Sequence, residues 1–353
     1  MSAVPAYWKT KLEDVESLMK TVKKGTAKVV AKSPGGRDVW LVEYGEKQDF
    51  NRTANYSSAC GAKHPKFYAD KVGKKPVIFI IGAEHGSEME GVAGITNLIQ
   101  MIETGKDFKG ETNPYLAECI NHCRLLIIPI ACPDGRARFP YESLVGVKYL
   151  DFRHYGQGRW KHNGELCMYP GCKEVHPIKE ASSVLGAYFN DNGYNLVHDN
   201  FFGTMQPENR AIFDIADAEA PDYTLHLHGG GNVQNEIDHA NYLPMYLREL
   251  VQDLKLKAKA EATKHGLPML LNKIRTKDAV FPPETFNIMS ALHYACGTAS
   301  ILYESNQGLD YTGVREIEPE WEAVLDHDQI LLHHYILFEQ TIRFAHERPV
   351  YYQ

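Results

Sequence analysis

His85-Gly86-Ser87-Glu88 sets an imidazole and a carboxylate three positions apart, directly after the apolar run VIFIIGA at 77–83. Side chains so spaced, where a buried strand turns into a helix, can grip one metal ion from the same side. The spacing recurs at His162-Asn163-Gly164-Glu165, so in a chain with 16 histidines the spacing alone decides little. Company further along distinguishes the first copy: LHLH at 225–228 and SILYESNQG at 300–308. A catalytic zinc takes three protein ligands and keeps a fourth position for water. His85, Glu88 and one histidine of LHLH complete that set. His226 and His228 are two residues apart and share a strand face; one suffices, and His226 is preferred, with His228 as the alternative. Zinc lowers the pKa of its bound water to about 7 and polarises a carbonyl. A carboxylate must then take the water proton and pass it to the leaving group, and Glu304, at the end of the run ASILY, is the candidate. Taken singly, His85 could cap a helix, Glu88 could serve the helix dipole and Glu304 could be an ion-pair partner. Together they imply metal-assisted hydrolysis.

These residues need strand ends to hold them, because the carboxyl ends of strands in an open α/β sheet form the crevice where ligands bind. VIFIIGA and RLLIIPIA (124–131) read as strands buried on both faces. PDYTLHLHGGG (221–231) and ASILYESN supply two more strands. Helical spacing of Val92, Ile95, Leu98, Ile99 and Ile102, and the long stretch 242–266, alternate with them. Such alternation predicts an α/β fold with helices on both faces of the sheet. Ahead of it come an amphipathic helix over 7–24 and two strand-like runs, TAKVVAKS and DVWLVEYG, joined at Pro34-Gly35-Gly36. Residues 46–74 read as a long surface loop, about 136–194 as an irregular loop insertion, and 318–345 as terminal helix. No repeat appears, and residues 1–353 are expected to form a single catalytic domain.

The chain has 353 residues, of which 44% are apolar, and a formal charge of −7. That balance argues against a nucleic-acid partner, which would call for clustered Lys and Arg. No apolar run approaches the roughly 18 residues of a membrane span, and the N-terminus is too polar for a leader. Seven cysteines without a small-scaffold pattern imply free thiols and a reducing, cytoplasmic setting. His162, Cys167, Cys172 and His176 could in principle close a structural zinc site, but the CxxC knuckle usual in such sites is absent. One catalytic zinc is expected, and no second. Oligomeric state is not legible.

Taken together, the segments resemble the zinc carboxypeptidase family, the carboxypeptidase A-type metallopeptidases, across about residues 7–345. AKSPGGRDVWLVEYG is similar to that family's opening strand, turn and strand, and His85 and Glu88 match its HxxE pair. Cys132-Pro133-Asp134-Gly135 resembles its NPDG segment, and Pro207-Glu208-Asn209-Arg210-Ala211-Ile212 the segment before its third ligand. The resemblance implies a mixed, largely parallel central sheet, with the third ligand on His226 and the general base on Glu304. Two departures bear on substrate. Where the family grips a peptide's carboxylate with an Asn-Arg pair, this chain has His198-Asp199-Asn200. An aspartate there would repel the carboxylate that an arginine fork would bind. Specificity is therefore expected to be non-classical, for an amine, an amide or no free carboxylate. Where the family carries an oxyanion-stabilising arginine, the closest stretch offers Lys161 with Arg159 adjacent, and Arg136 and Arg138 are further candidates. The family's substrate-covering tyrosine finds no counterpart, with Phe281 and Phe286 in its region.

The leading expectation is a zinc-dependent hydrolase cleaving an amide bond in a peptide or an acylated small molecule. The alternatives are a deacylase or amidase acting on N-acylated or amidated substrates, and a non-catalytic metal-bearing protein that binds peptides.

Overall fold

The computed structural model describes residues 3–271 and 285–348. Its centre is a seven-stranded sheet in the order β1-β2-β4-β3-β7-β9-β8. The strands are β1 (Thr26–Lys32), β2 (Asp38–Tyr44), β3 (Val77–Gly82), β4 (Arg124–Ile128), β7 (Tyr223–Gly229), β8 (Glu236–His239) and β9 (Ala299–Ser305). A separate two-stranded ribbon pairs β5 (Gly158–Trp160) with β6 (Ser182–Leu185). β4, β3, β7 and β9 run parallel, while β1, β2 and β8 join antiparallel at the margins. The mixed, largely parallel sheet is thus as the resemblance implied. All six residues of β3 and all five of β4 are buried, which is why these runs lack polar alternation.

The helices are α1 (Leu12–Met19), α2 (Tyr56–Gly61), α3 (Glu90–Thr104), α4 (Pro114–Ala117), α5 (Pro133–Arg138), α6 (Tyr149–Gly156), α7 (Pro207–Glu219), α8 (Met245–Lys264), α9 (Ile288–Cys296) and α10 (His327–Glu347). Strand parity sets what each face meets. Tyr223 of β7 packs on Phe344 of α10, and a side chain on Gly91 of α3 would strike Leu227. Thr224, His226 and His228 therefore face the other way. The largest of three apolar clusters among the described residues runs from Trp8 to Ala345. No helix among the described residues is long and apolar enough to cross a membrane.

Several boundaries differ from the sequence reading. The first helix covers Leu12–Met19 rather than 7–24. The stretch 46–74 contains α2 and buries Phe50, Tyr56 and Tyr68. It is tied down by the buried Lys71–Asp222 ion pair at 2.9 Å, whose carboxylate also accepts the Val77 N–H where β3 begins. The irregular insertion contains α6 and the β5–β6 ribbon. β8 was missed because four residues on a sheet edge leave too short a pattern to register.

Candidate metal centre

β3 ends at Gly82, and Ala83 turns the chain with φ at +46°, a left-handed backbone uncommon for a residue with a side chain. That turn starts the segment Glu84–Met89 leading into α3. Its backbone is wedged against two other segments. A side chain on Gly86 would lie 2.1 Å from the Arg136 nitrogen, and one on Gly135 would lie 2.1 Å from the Ala187 oxygen. Gly86 N–H donates to that same Ala187 oxygen at 2.8 Å. Asp134 holds the arrangement from below, accepting from Ser33 Oγ, the Gly35 and Asp191 N–H groups, and Arg37. The CPDG and SPGGR segments are therefore scaffolding for the metal loop.

His85, Glu88 and His228 converge, with one ligand atom from each lying within 4.8 Å of the others. Among the described residues this is the one such group of three or more His, Cys, Asp or Glu side chains. His85 Nδ1 is 2.9 Å from one Glu88 oxygen and His228 Nδ1 is 2.9 Å from the other. The third corner is thus His228, correcting the preference for His226. Register explains the difference. His226 lies beside Ile81, inside β3, whereas His228 lies one residue beyond the Gly82–Leu227 pair, level with the loop. His226 instead turns Nδ1 to Glu84, at 3.0 and 3.2 Å from its two oxygens.

Hydrogen-bond bookkeeping shows that this cluster fits a cation. Asn195 Oδ1 accepts from the Val197 N–H, which identifies it as oxygen, so His85 Nε2 at 3.1 Å must donate to it. His228 Nε2 likewise donates to Glu84 at 2.8 Å. In the neutral rings each Nδ1 then bears a lone pair aimed at a carboxylate oxygen. A metal ion between them, or added protons, removes that repulsion. Without metal, burial opposes charge on His228, but Glu84 and Glu88 outweigh it and raise its pKa well above the ordinary value. Burial pushes Glu84 and Glu88 up, yet the facing imidazoles hold both below the usual carboxylate range. Two imidazoles and a carboxylate suit zinc.

Glu304 of β9 is the lateral partner of His228, so both side chains stand on one face at the carboxyl end of the sheet. Tyr188, which sequence reading did not single out, stacks on His85 at 3.9 Å between centroids and 15° between planes. Burial and Glu88, which accepts a hydrogen bond from its hydroxyl, push its phenol far up, and Arg153 opposes that rise. Arg153, in the last turn of α6, was also missed. It lies over the rings of Tyr149 and Phe152, and its Nε is buried without a hydrogen-bond partner.

The other expected cations lie elsewhere. Arg159 is spent on His154 Nδ1 and the Gly164 carbonyl, and Lys161 is an exposed residue on the ribbon. Arg136 bonds to the carbonyls of Thr10, Phe139 and Tyr141, and Arg138 to Asp191 and to the carbonyls of Gly186 and Phe189. Asp199 is turned into the fold: its oxygens accept from the N–H groups of Asn200 and Gln206 and from Asn209 of α7. Asn200 is exposed. His198 does belong beside the centre, where Lys173 of the insertion donates to its Nε2 at 2.7 Å. Burial, Lys173 and His85 push the His198 pKa down to about 3, leaving a neutral ring. The charge added at this position is therefore a lysine's, not an aspartate's.

Cys167 and Cys172 sit in an apolar cluster with Ile178 and Phe189, and His176 accepts the Asn195 N–H. Phe281 lies outside the described residues, and Phe286 stacks on the exposed Phe202.

Comparison with known proteins places this geometry in context. The model of the zinc carboxypeptidase family matches residues 13–310. A search of curated proteins returns no significant match. Among solved structures, a candidate carboxypeptidase A from Shewanella denitrificans is 13% identical, covering 97% of this chain and 71% of that one, at a TM-score of 0.58. Carboxypeptidase A from Helicoverpa armigera is 15% identical, covering 98% and 75%, at 0.53. A metallo-carboxypeptidase from Pseudomonas aeruginosa, solved with (2-guanidinoethylmercapto)succinic acid, is 11% identical, covering 94% and 68%, at 0.52.

Proposed function

Because the chain belongs to the zinc carboxypeptidase family, we propose that it hydrolyses an amide bond in a peptide or acylated small molecule at the centre built by His85, Glu88 and His228. The observation that carries this reading is the convergence of those three side chains beside Glu304, at the carboxyl ends of parallel strands. Zinc held by His85, Glu88 and His228 would acidify a water molecule to a pKa of about 7 and polarise the substrate carbonyl. Glu304 accepts the proton of the attacking water and delivers it to the leaving nitrogen. Arg153 offers positive charge toward the developing oxyanion, and Tyr188 walls the site from above His85. In a site largely closed to water such charges act more strongly than in solvent.

Substrate selection rests on Lys173 and neutral His198. An ammonium binds a carboxylate as a point charge, without the two-pronged fit of a guanidinium. The substrate group favoured here is a single anionic end, read by a loop that the strands do not fix, in place of the amine, amide or uncharged end expected from Asp199. Deacylation of an N-acylated amino acid uses the same chemistry and the same anion contact. The free thiols of all seven cysteines support a reducing compartment.

The test is a panel of peptides with free or amidated C-termini and N-acyl amino acids, run with wild type and Glu304→Gln. Loss of turnover with zinc retained supports the assignment; unchanged turnover removes Glu304 from it. Equal cleavage of free and amidated ends removes the anion contact.

A further inference from the structure

His228 is held differently from the other histidine of the centre. His85 gives its outer nitrogen to the neutral amide oxygen of Asn195. The outer nitrogen of His228 meets a full carboxylate, that of Glu84, at 2.8 Å. Glu84 is completely buried, as is His226, whose Nδ1 is the further donor to the same carboxylate. His226 Nε2 is buried with no partner. One nitrogen of His226 is therefore committed to Glu84 and the other has no hydrogen-bond partner.

We propose that Glu84 and His226 form a buried relay that orients His228 and sets the affinity of the centre for zinc. The proposal rests on the reading of His85, Glu88 and His228 as the ligands. Three physical points support it. A carboxylate accepting the Nε2–H of His228 fixes the tautomer that leaves Nδ1 free to ligate, and raises the donor strength of that nitrogen. A lone carboxylate taken wholly out of water is costly unless opposite charge answers it; a divalent ion beside Glu88 would answer both carboxylates and leave the buried set balanced. Finally, the hydrogen bond of His226 to Glu84 ties it to the centre. Its N–H fixes the carboxylate so that one oxygen stays aimed at His228. Glu84 and His226 are thus positioning residues that touch neither substrate nor metal.

The test uses the full chain, stripped of metal and titrated with zinc against a chelating dye, with thermal melting of each metal-free protein alongside. His228→Ala should lose zinc binding, which checks the ligand reading independently. Glu84→Gln should weaken zinc by about 10- to 100-fold, the range for outer partners of metal ligands, with the metal-free melt unchanged or higher. His226→Leu, which removes the donor, should approach Glu84→Gln. His226→Asn, whose amide nitrogen replaces the ring Nδ1–H, should stay within about threefold of wild type. Glu84→Asp keeps the charge on a shorter stem and should fall between wild type and Glu84→Gln, which keeps the test open if the glutamine variant folds poorly.

Zinc affinity unchanged in Glu84→Gln, with binding lost in His228→Ala, overturns the relay and leaves the ligands standing. Binding lost in His226→Asn as fully as in His228→Ala makes His226 a ligand and also overturns it. Glu84→Asp no better than Glu84→Gln shows that charge is not the operative property. No zinc on wild type removes both the relay and the ligand reading.

Discussion

The chain carries the same His-x-x-Glu spacing twice, at 85–88 and at 162–165, and the two copies have opposite surroundings. His85 and Glu88 are buried at the end of an all-buried strand, and His228 arrives from the neighbouring strand. His162 and Glu165 are exposed on the turn of the β5–β6 ribbon, where Asn163 occupies the Glu165 carboxylate. The first histidine has its outer nitrogen fixed by Asn195; the second stands near Trp160 with its ring tilted to it. Four residues of sequence make a metal site only when a sheet brings in a third ligand and outer acceptors fix each ring.

The comparison can be broken most severely at His228. Replacing it with Ala should abolish zinc binding and turnover, as read by elemental analysis and any amidase assay; zinc retained at one per chain would put the third ligand elsewhere. Next comes Glu304→Gln, expected to lower kcat by about 10²- to 10⁴-fold with zinc content unchanged. Gly86→Ala asks whether the first copy depends on its backbone seam. The added carbon meets the Arg136 nitrogen at 2.1 Å, and overpacking of this kind costs about 1–3 kcal/mol, so the thermal midpoint should fall by a few degrees and zinc should weaken.

Lys173→Ala should raise KM about tenfold for substrates with a free carboxylate, the worth of one charged hydrogen bond. It should leave amidated substrates unchanged. His162→Ala with Glu165→Ala sits at the bottom of the scale, with no change in zinc content or melting. A loss of metal there would restore the second copy. The pH behaviour sharpens the same contrast. In the metal-free protein Glu84 and Glu88 raise the His228 pKa above its ordinary value, so zinc competes with a proton for that ring. Calorimetric heats near pH 7 should therefore vary with the ionisation enthalpy of the buffer, and affinity should rise with pH.

Much of this was legible before any coordinates. A continuous apolar run followed at once by His85 and Glu88 marks a strand end, and the run before Glu304 marks another. The α/β architecture follows from such runs alternating with helices, and the resemblance implied its largely parallel centre. What failed was the third ligand. His226 and His228 share a face by parity, and only the register of β7 on β3 decides which stands level with the loop. Register between distant strands has no local signature. Asp199 misled because its place in a motif was read as direction, whereas Asn209 and two backbone N–H groups draw its carboxylate inward. Tyr188, Arg153 and Lys173 lie in the irregular stretch 136–194, where no periodicity says which side chains turn to the centre. Glu84 had a usable sign, a second acid beside the ligand pair with two histidines waiting on LHLH.

The seam at Ala187 has a consequence for how such a protein can change. Its carbonyl accepts from Gly86 and abuts Gly135, so the excursion leaving α5 near Arg138 returns to a fixed point beside the ligands. Everything between those two anchors, including α6, the ribbon and Lys173, is one excursion of the chain, docked on the core where Leu144, Val147 and Phe152 pack with Met89 and Leu309. The excursion carries both Arg153 and Lys173, so a change of selectivity made there also reaches the charge proposed for the oxyanion, while His85, Glu88 and His228 stay on the sheet side of the seam.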